Sequence, residues 1–209
     1  FRTWFYRVDL SKRVKFDVDS GEFADSFWKT SAELLETFRT GKSLMVPPTR
    51  WVLEGLQKKP QATAFGDLSQ NFAEDDRVPC LEMIEGVPQL AVRSATLPPA
   101  SRTNSFMLGD LDAPKLLVDP SPNSTEEYQR LLNTIQDKKL DAIFLTHHHP
   151  DHHQFSNQLA RQLKLPIILS QDTQQRLTLK NGEDYFEQVE LRNVVENEEV
   201  TRWHGSPVR

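Results

Sequence analysis

The chain has 209 residues, 37% hydrophobic, 26% charged and 9% aromatic, a globular composition with apolar surface enough for a core, which excludes disorder throughout. Its formal charge of −5 is mild and mixed in sign, so composition gives no push toward nucleic acid or an anionic membrane surface, and bars neither. The single cysteine, Cys80, cannot form an internal disulfide. With no leading apolar segment and no membrane-length apolar run, the expected setting is a reducing cytoplasm. The sequence starts at Phe1 rather than at a methionine and is expected to be a processed product or a fragment.

Residues 1–10 are rich in aromatic and β-branched residues and predict a strand. Thr30 and Glu33 form a capping box, which predicts a helix carrying Leu34, Leu35 and Phe38 on one face and stopping at Gly41. Pro47-Pro48-Thr49 opens a second helix with Trp51, Val52 and Leu56. Residues 60–79 lose periodicity and hold the acidic patch Glu74-Asp75-Asp76, which makes them the linker between segments 1–59 and 80–209. Short strands are expected around Leu90-Ala91-Val92 and Ser105 to Leu108, separated by the turn-rich Leu97-Pro98-Pro99. Another strand runs from Lys115 to Val118 and ends at Asp119-Pro120. Ser124 and Glu127 read as a second capping box, ahead of Tyr128, Leu131, Leu132 and Ile135 at helical spacing, with acids early and Lys138-Lys139 late. Asp141 to Thr146 is a short, nearly continuous apolar run and predicts a buried strand. Phe155, Leu159 and Leu163 mark the next helix, and Leu165 to Leu169 the next strand. This alternation implies an α/β layer with parallel pairing.

Five of the six histidines fall in Thr146-His147-His148-His149-Pro150-Asp151-His152-His153, directly after that buried strand, where α/β proteins place chemistry. Imidazole and carboxylate both ligate zinc, at about 2.0 to 2.2 Å. A His-x-His-x-Asp-His pattern fits in one register: His147, His149, Asp151 and His152. In an irregular loop, His147 and His149 can point to one metal while Asp151 and His152 reach a second. Two metals about 3.5 to 4 Å apart can share a hydroxide nucleophile. A purification tag would sit at a terminus and would not be interrupted by Pro-Asp. A solvated histidine-rich loop is the remaining plain alternative. His148 falls outside the register and is expected to pack or meet solvent, and His153 to start the following helix. Asp119 could accept a hydrogen bond from a ligand histidine, or be only the turn residue before Pro120. The sixth histidine, His204, is taken as a strand histidine that packs.

Residues 141–153 resemble the signature of the metallo-β-lactamase superfamily, whose preceding strand carries an Asp-Pro or Asp-Gly turn like Asp119-Pro120. Arg93 to Ser105 is similar to the opening of a lactamase-β-like bacterial group, related to glyoxalase II-like hydrolases and to an endoribonuclease of the same fold. The resemblance implies metallo-β-lactamase-type αββα layers, of which 80–209 would form the first half. It implies a complete site of two Zn2+ ions, the first held by His147 and His149, the second by Asp151 and His152, with Asp151 also orienting the nucleophile as the catalytic residue. It further implies a third histidine, a bridging aspartate and a final histidine downstream. The order His204-Gly205 is not the Gly-His order the family uses there. Gly21 to Glu33, followed by Pro47-Pro48-Thr49, looks like the tail of a Nudix domain. Segment 1–59 is thus a partial α+β Nudix-like piece, and the absent Nudix box removes any expectation of pyrophosphatase activity.

The expected function is a zinc-dependent, cytoplasmic hydrolase in which metal-bound hydroxide attacks an ester-like bond, with RNA phosphodiester and thioester both open. The substrate is a small molecule or RNA, no membrane partner is expected, and the oligomeric state is unknown. The fragment is expected to bind metal weakly and to turn over little. The alternative is a catalytically incomplete superfamily member serving as a binding or scaffold module.

Overall fold

The computed structural model describes residues 5–15, 21, 26–62 and 76–209. Residues 1–4 of the expected first strand and most of the expected linker, 63–75, lie outside them. The described part of that strand, residues 5–10, forms no strand and is exposed throughout. Aromatic and β-branched content favours a pleated, half-buried surface, and among the described residues no neighbouring strand supplies one.

Helix α1 (Ser31–Arg39) starts as the sequence predicts. The Thr30 side chain accepts from the Glu33 N–H, and the Glu33 carboxylate accepts from the Thr30 N–H at 2.7 Å. Helix α2 (Pro47–Lys58) has proline in its first turn, where the missing N–H costs nothing. Leu35, Phe38 and Met45 form a small core between them, with Leu34 and Leu53 against it.

Seven strands build one sheet in chain order: β1 (Cys80–Ile84), β2 (Val87–Arg93), β3 (Arg102–Leu108), β4 (Leu116–Val118), β5 (Ala142–Phe144), β6 (Ile167–Ser170) and β7 (Leu191–Val194). The first three pairings are antiparallel; β4 to β7 run parallel. Helices α3 (Thr125–Ile135), α4 (Pro150–His153), α5 (Ser156–Leu163) and α6 (Gln171–Asn181) fill the connections between the parallel strands. The expected α/β layer is therefore present.

The main core joins Leu90, Val92, Leu117, Ile143, Leu145, Ile167 and Leu169 of the sheet to Leu131, Ile135, Leu159 and Leu177 of the helices. Alternate strand residues, Leu116, Ala142 and Ile168, pack with Val200 in a second, smaller cluster. Val208 joins that cluster from the hairpin of β8 (Thr201–Trp203) and β9 (Ser206–Val208).

The Ser124 hydroxyl caps α3 by accepting from the Glu127 N–H at 3.2 Å. The second half of that capping box does not form. The Glu127 carboxylate, 2% exposed, instead accepts from the Arg93 N–H and from Arg130. A buried carboxylate gains more from a guanidinium and a strand amide together than from the weak box closure.

The helical pair is tied to the sheet. Met45 N–H donates to Met83 O and Arg50 pairs with Glu82 at 2.9 Å, while Trp203 Nε1, on β8, donates to Glu85 O in the β1–β2 turn at 2.7 Å. Gly41 ends the first helical turn region at φ +67, and a Cβ there would lie 2.9 Å from the rings of Trp203 and His204. The glycine is needed both for its backbone and for the close approach. His204 itself sits in the β8–β9 turn at φ +48 rather than on a strand. The side chain of Asp110 fixes that turn by accepting the His204 and Gly205 N–H groups at 2.9 and 2.8 Å. Two amides converging on one carboxylate favour the turn over a continued strand.

Gly41→Ala should lower the unfolding free energy by about 1 to 3 kcal/mol, combining left-handed backbone cost with the clash. Gly205→Ala, at φ +72 with open space around it, should lose only about 1 kcal/mol. Urea unfolding of both variants checks the difference.

Candidate metal centre

The metal loop leaves β5 at Leu145 and passes through His147, His148 and His149 without regular structure. It then enters α4, so Asp151 and His152 stand on a single helical turn rather than in irregular loop. His153 is the last residue of that turn, and the longer helix begins only at Ser156. His148 is half-buried and His149 exposed, while His153 is buried.

The loop is shaped by the segment after β4. In-register parallel pairing sets Val118 beside Phe144, so the ends of two adjacent strands release Asp119 and the metal loop side by side. Asp119 is 5% exposed and adopts φ +47. Its Oδ1 accepts from the Thr146 N–H at 2.8 Å. Its Oδ2 accepts from Thr146 Oγ1 at 2.6 Å and lies 2.9 Å from His152 Nδ1. Ser121, fully buried, donates to Pro150 O at 2.8 Å and accepts from the Gln154 N–H at 3.1 Å, clasping α4 at both ends.

These contacts fix two tautomers. An ionised carboxylate only accepts, so His152 Nδ1 carries the proton and its Nε2 keeps a lone pair. The Thr146 hydroxyl has spent its one hydrogen on Asp119. It can therefore only accept from His147 Nδ1, 2.9 Å away, which leaves His147 Nε2 with a free lone pair as well. The rings of His147 and His152 have centroids 4.0 Å apart, those of His147 and His149 4.7 Å. His152 Nε2 lies 3.5 Å from Asp151 Oδ2, and that same oxygen is 3.4 Å from Thr103 Oγ1.

Burial, reinforced by the neighbouring His152 and His149, lowers the pKa of His147, favouring the neutral imidazole that a metal requires. Burial above all pushes His153 down to about 4, so it is neutral at pH 7. Its Nδ1 lies 2.8 Å from the Tyr185 hydroxyl.

Among the described residues, Asp119, His147 and His152 bring ligand atoms within 4.8 Å of one another. His149 and Asp151 belong to the same loop but fall outside that trio. Two imidazole nitrogens with free lone pairs, beside carboxylates, are a donor set that suits a divalent transition metal. Asp119 is the contributor that sequence alone left open, and its hydrogen bonds make it more than a turn residue. Ser121 and Thr103 went unnoticed because isolated hydroxyl residues carry no local pattern.

The fold and this cluster define a metal-binding α/β protein. Residues 98–206, more than half of the chain, match the family model of the metallo-beta-lactamase superfamily, and the chain belongs to that superfamily. Among solved structures, it is similar to a metallo-beta-lactamase from Hirschia baltica at 19% identity and TM-score 0.45, covering 62% of this chain and 58% of that one. It is similar to the flavodiiron protein of Giardia intestinalis at 15% identity and TM-score 0.46, covering 62% and 34%. FIM-1 of Pseudomonas aeruginosa, in its mono-zinc form, is similar at 15% identity and TM-score 0.43, covering 62% and 56%. The chain thus spans little more than half the length of such relatives, or less. A comparison with curated proteins finds no match. No helix among the described residues is long and apolar enough to cross a membrane.

Asp119→Asn replaces an acceptor by a donor toward Thr146 or His152. Affinity for added divalent metal should fall about 10- to 100-fold, as for loss of other groups that orient metal ligands, read by competition with a chromogenic chelator.

Proposed function

We propose that this chain carries the metal-binding loop of a zinc-dependent hydrolase acting on an ester-like bond. His147 and His149 hold the first of two zinc ions, and Asp151 and His152 the second. Asp151 also orients the attacking water. When bound, zinc supplies a water acidic enough to ionise near neutral pH and polarises the attacked group.

The observation that carries this reading is the relay from Asp119 to both histidines. The bonds through Thr146 and directly to His152 turn the two Nδ1–H groups toward the protein and leave both Nε2 atoms as ligands. Asp119 is assigned to orientation rather than to the metal because its oxygens are already committed to three donors. Thr103 steadies Asp151 from the neighbouring strand. RNA phosphodiester and thioester substrates both fit an ester-like bond, and the single free cysteine favours a cytoplasmic setting. Residues 1–59 are read as the tail of a Nudix-like domain without pyrophosphatase chemistry, a reading supported by the resemblance and by helices α1 and α2.

Four ligands make up part of the set that the superfamily resemblance implies, so the 209-residue chain should hold zinc weakly. Metal analysis after equilibrium dialysis should find less than one zinc retained per chain; two tightly held ions would contradict this. In the whole protein, His149→Ala should abolish hydrolysis of whatever ester-like substrate it accepts. Unchanged turnover would remove the metal reading.

A further inference from the structure

Helix α4 is four residues long and has no side chain capping its start. A turn that short has no stability of its own, so its orientation depends on what grips it. Ser121 and Asp119 grip it from the segment after β4. A further grip comes from a distant part of the chain, the tight helical turn Glu183–Phe186 that follows α6.

The Tyr185 hydroxyl of that turn lies 2.8 Å from His153 Nδ1 and 3.4 Å from His153 O. A hydroxyl can donate or accept, so it partners the ring nitrogen in either tautomer. His153 Nε2 is buried and has no partner among the described residues, which leaves Tyr185 as the hydrogen-bonding partner of this imidazole. Tyr185 is itself firmly seated. Its carbonyl accepts from Asn157 Nδ2 of α5 at 3.0 Å, and its ring meets the buried Phe186 edge-on.

Successive residues of a helix project about 100° apart. His153 therefore points roughly opposite to Asp151, with His152 between them. Burial follows that order: His153 is buried, whereas Asp151 and His152 are partly exposed. A grip on the buried side of α4 fixes the angle at which the other two side chains face outward.

We propose that Tyr185 is a positioning residue for the metal centre: acting through His153, it sets the angle at which α4 presents Asp151 and His152. This rests on the reading of those two residues as metal ligands.

Titration of the 209-residue chain with Co2+ tests it, because the visible absorption bands of bound cobalt report ligand geometry. Tyr185→Phe, which deletes only the hydroxyl, should weaken cobalt binding about five- to tenfold and shift the bands. His153→Leu should do the same, and the two changes together should cost no more than either alone, as expected when one residue acts through the other. His153→Asn, whose amide can still meet the Tyr185 hydroxyl, should stay within about twofold of the parent. Tyr128→Phe deletes a hydroxyl joined at 2.6 Å to Gln162 of α5 rather than to α4; it should leave the bands unchanged. Circular dichroism checks that each variant is folded. Parent-like affinity and bands in Tyr185→Phe, or equal losses in Tyr128→Phe, would overturn the proposal alone. No cobalt binding by the parent chain would remove the metal reading, and this proposal with it.

Discussion

The carboxylate of Asp119 holds the histidine-rich loop in shape. It stands where β4 ends, accepts from a backbone amide, a hydroxyl and an imidazole, and converts two adjacent strand ends into one rigid platform. The residue preceding a proline is ordinarily driven toward extended backbone, yet Asp119 takes a positive φ before Pro120. A conformation of this kind persists only where surrounding contacts over-determine it. Three donors to one side chain are that over-determination. The same geometry selects the proton positions on His147 and His152, so backbone strain and ligand chemistry are two aspects of one contact set.

Much of the architecture was legible because local signals agreed with tertiary demand. The Thr30 and Glu33 box, the prolines opening α2, and the short apolar runs ending at Val118, Phe144 and Leu169 each specify an element whose burial the fold then uses. The histidine loop was legible for another reason: so many imidazoles after a buried strand have few structural uses. What composition could not reveal was partnership. Residues 5–10 have strand-like content but, among the described residues, no neighbouring strand, and His204 meets a carboxylate, Asp110, that bends the chain into a turn.

Glu127 shows the limit most clearly. Its spacing from Ser124 is that of a capping box, and the serine half forms. The glutamate half yields to the backbone N–H of Arg93 and to the guanidinium groups of Arg102 and Arg130, which together satisfy a buried carboxylate better than one backbone donor would. Local spacing could not foresee this, since Arg93 and Arg102 are brought together only by the β2–β3 register. The roles of Thr103 and Ser121 likewise arise from strand and loop juxtaposition.

The seat of Gly41 against Trp203 also has a bearing on how the chain assembles. Trp203 is anchored to Glu85 across 118 residues, and contacts of such separation carry a large loop-closure entropy and slow the search for the native state. Helices α1 and α2 leave the ribosome early, but the indole ring that receives them is made more than a hundred residues later. Their final docking must therefore follow completion of the sheet, which makes this contact one of the last to form during synthesis.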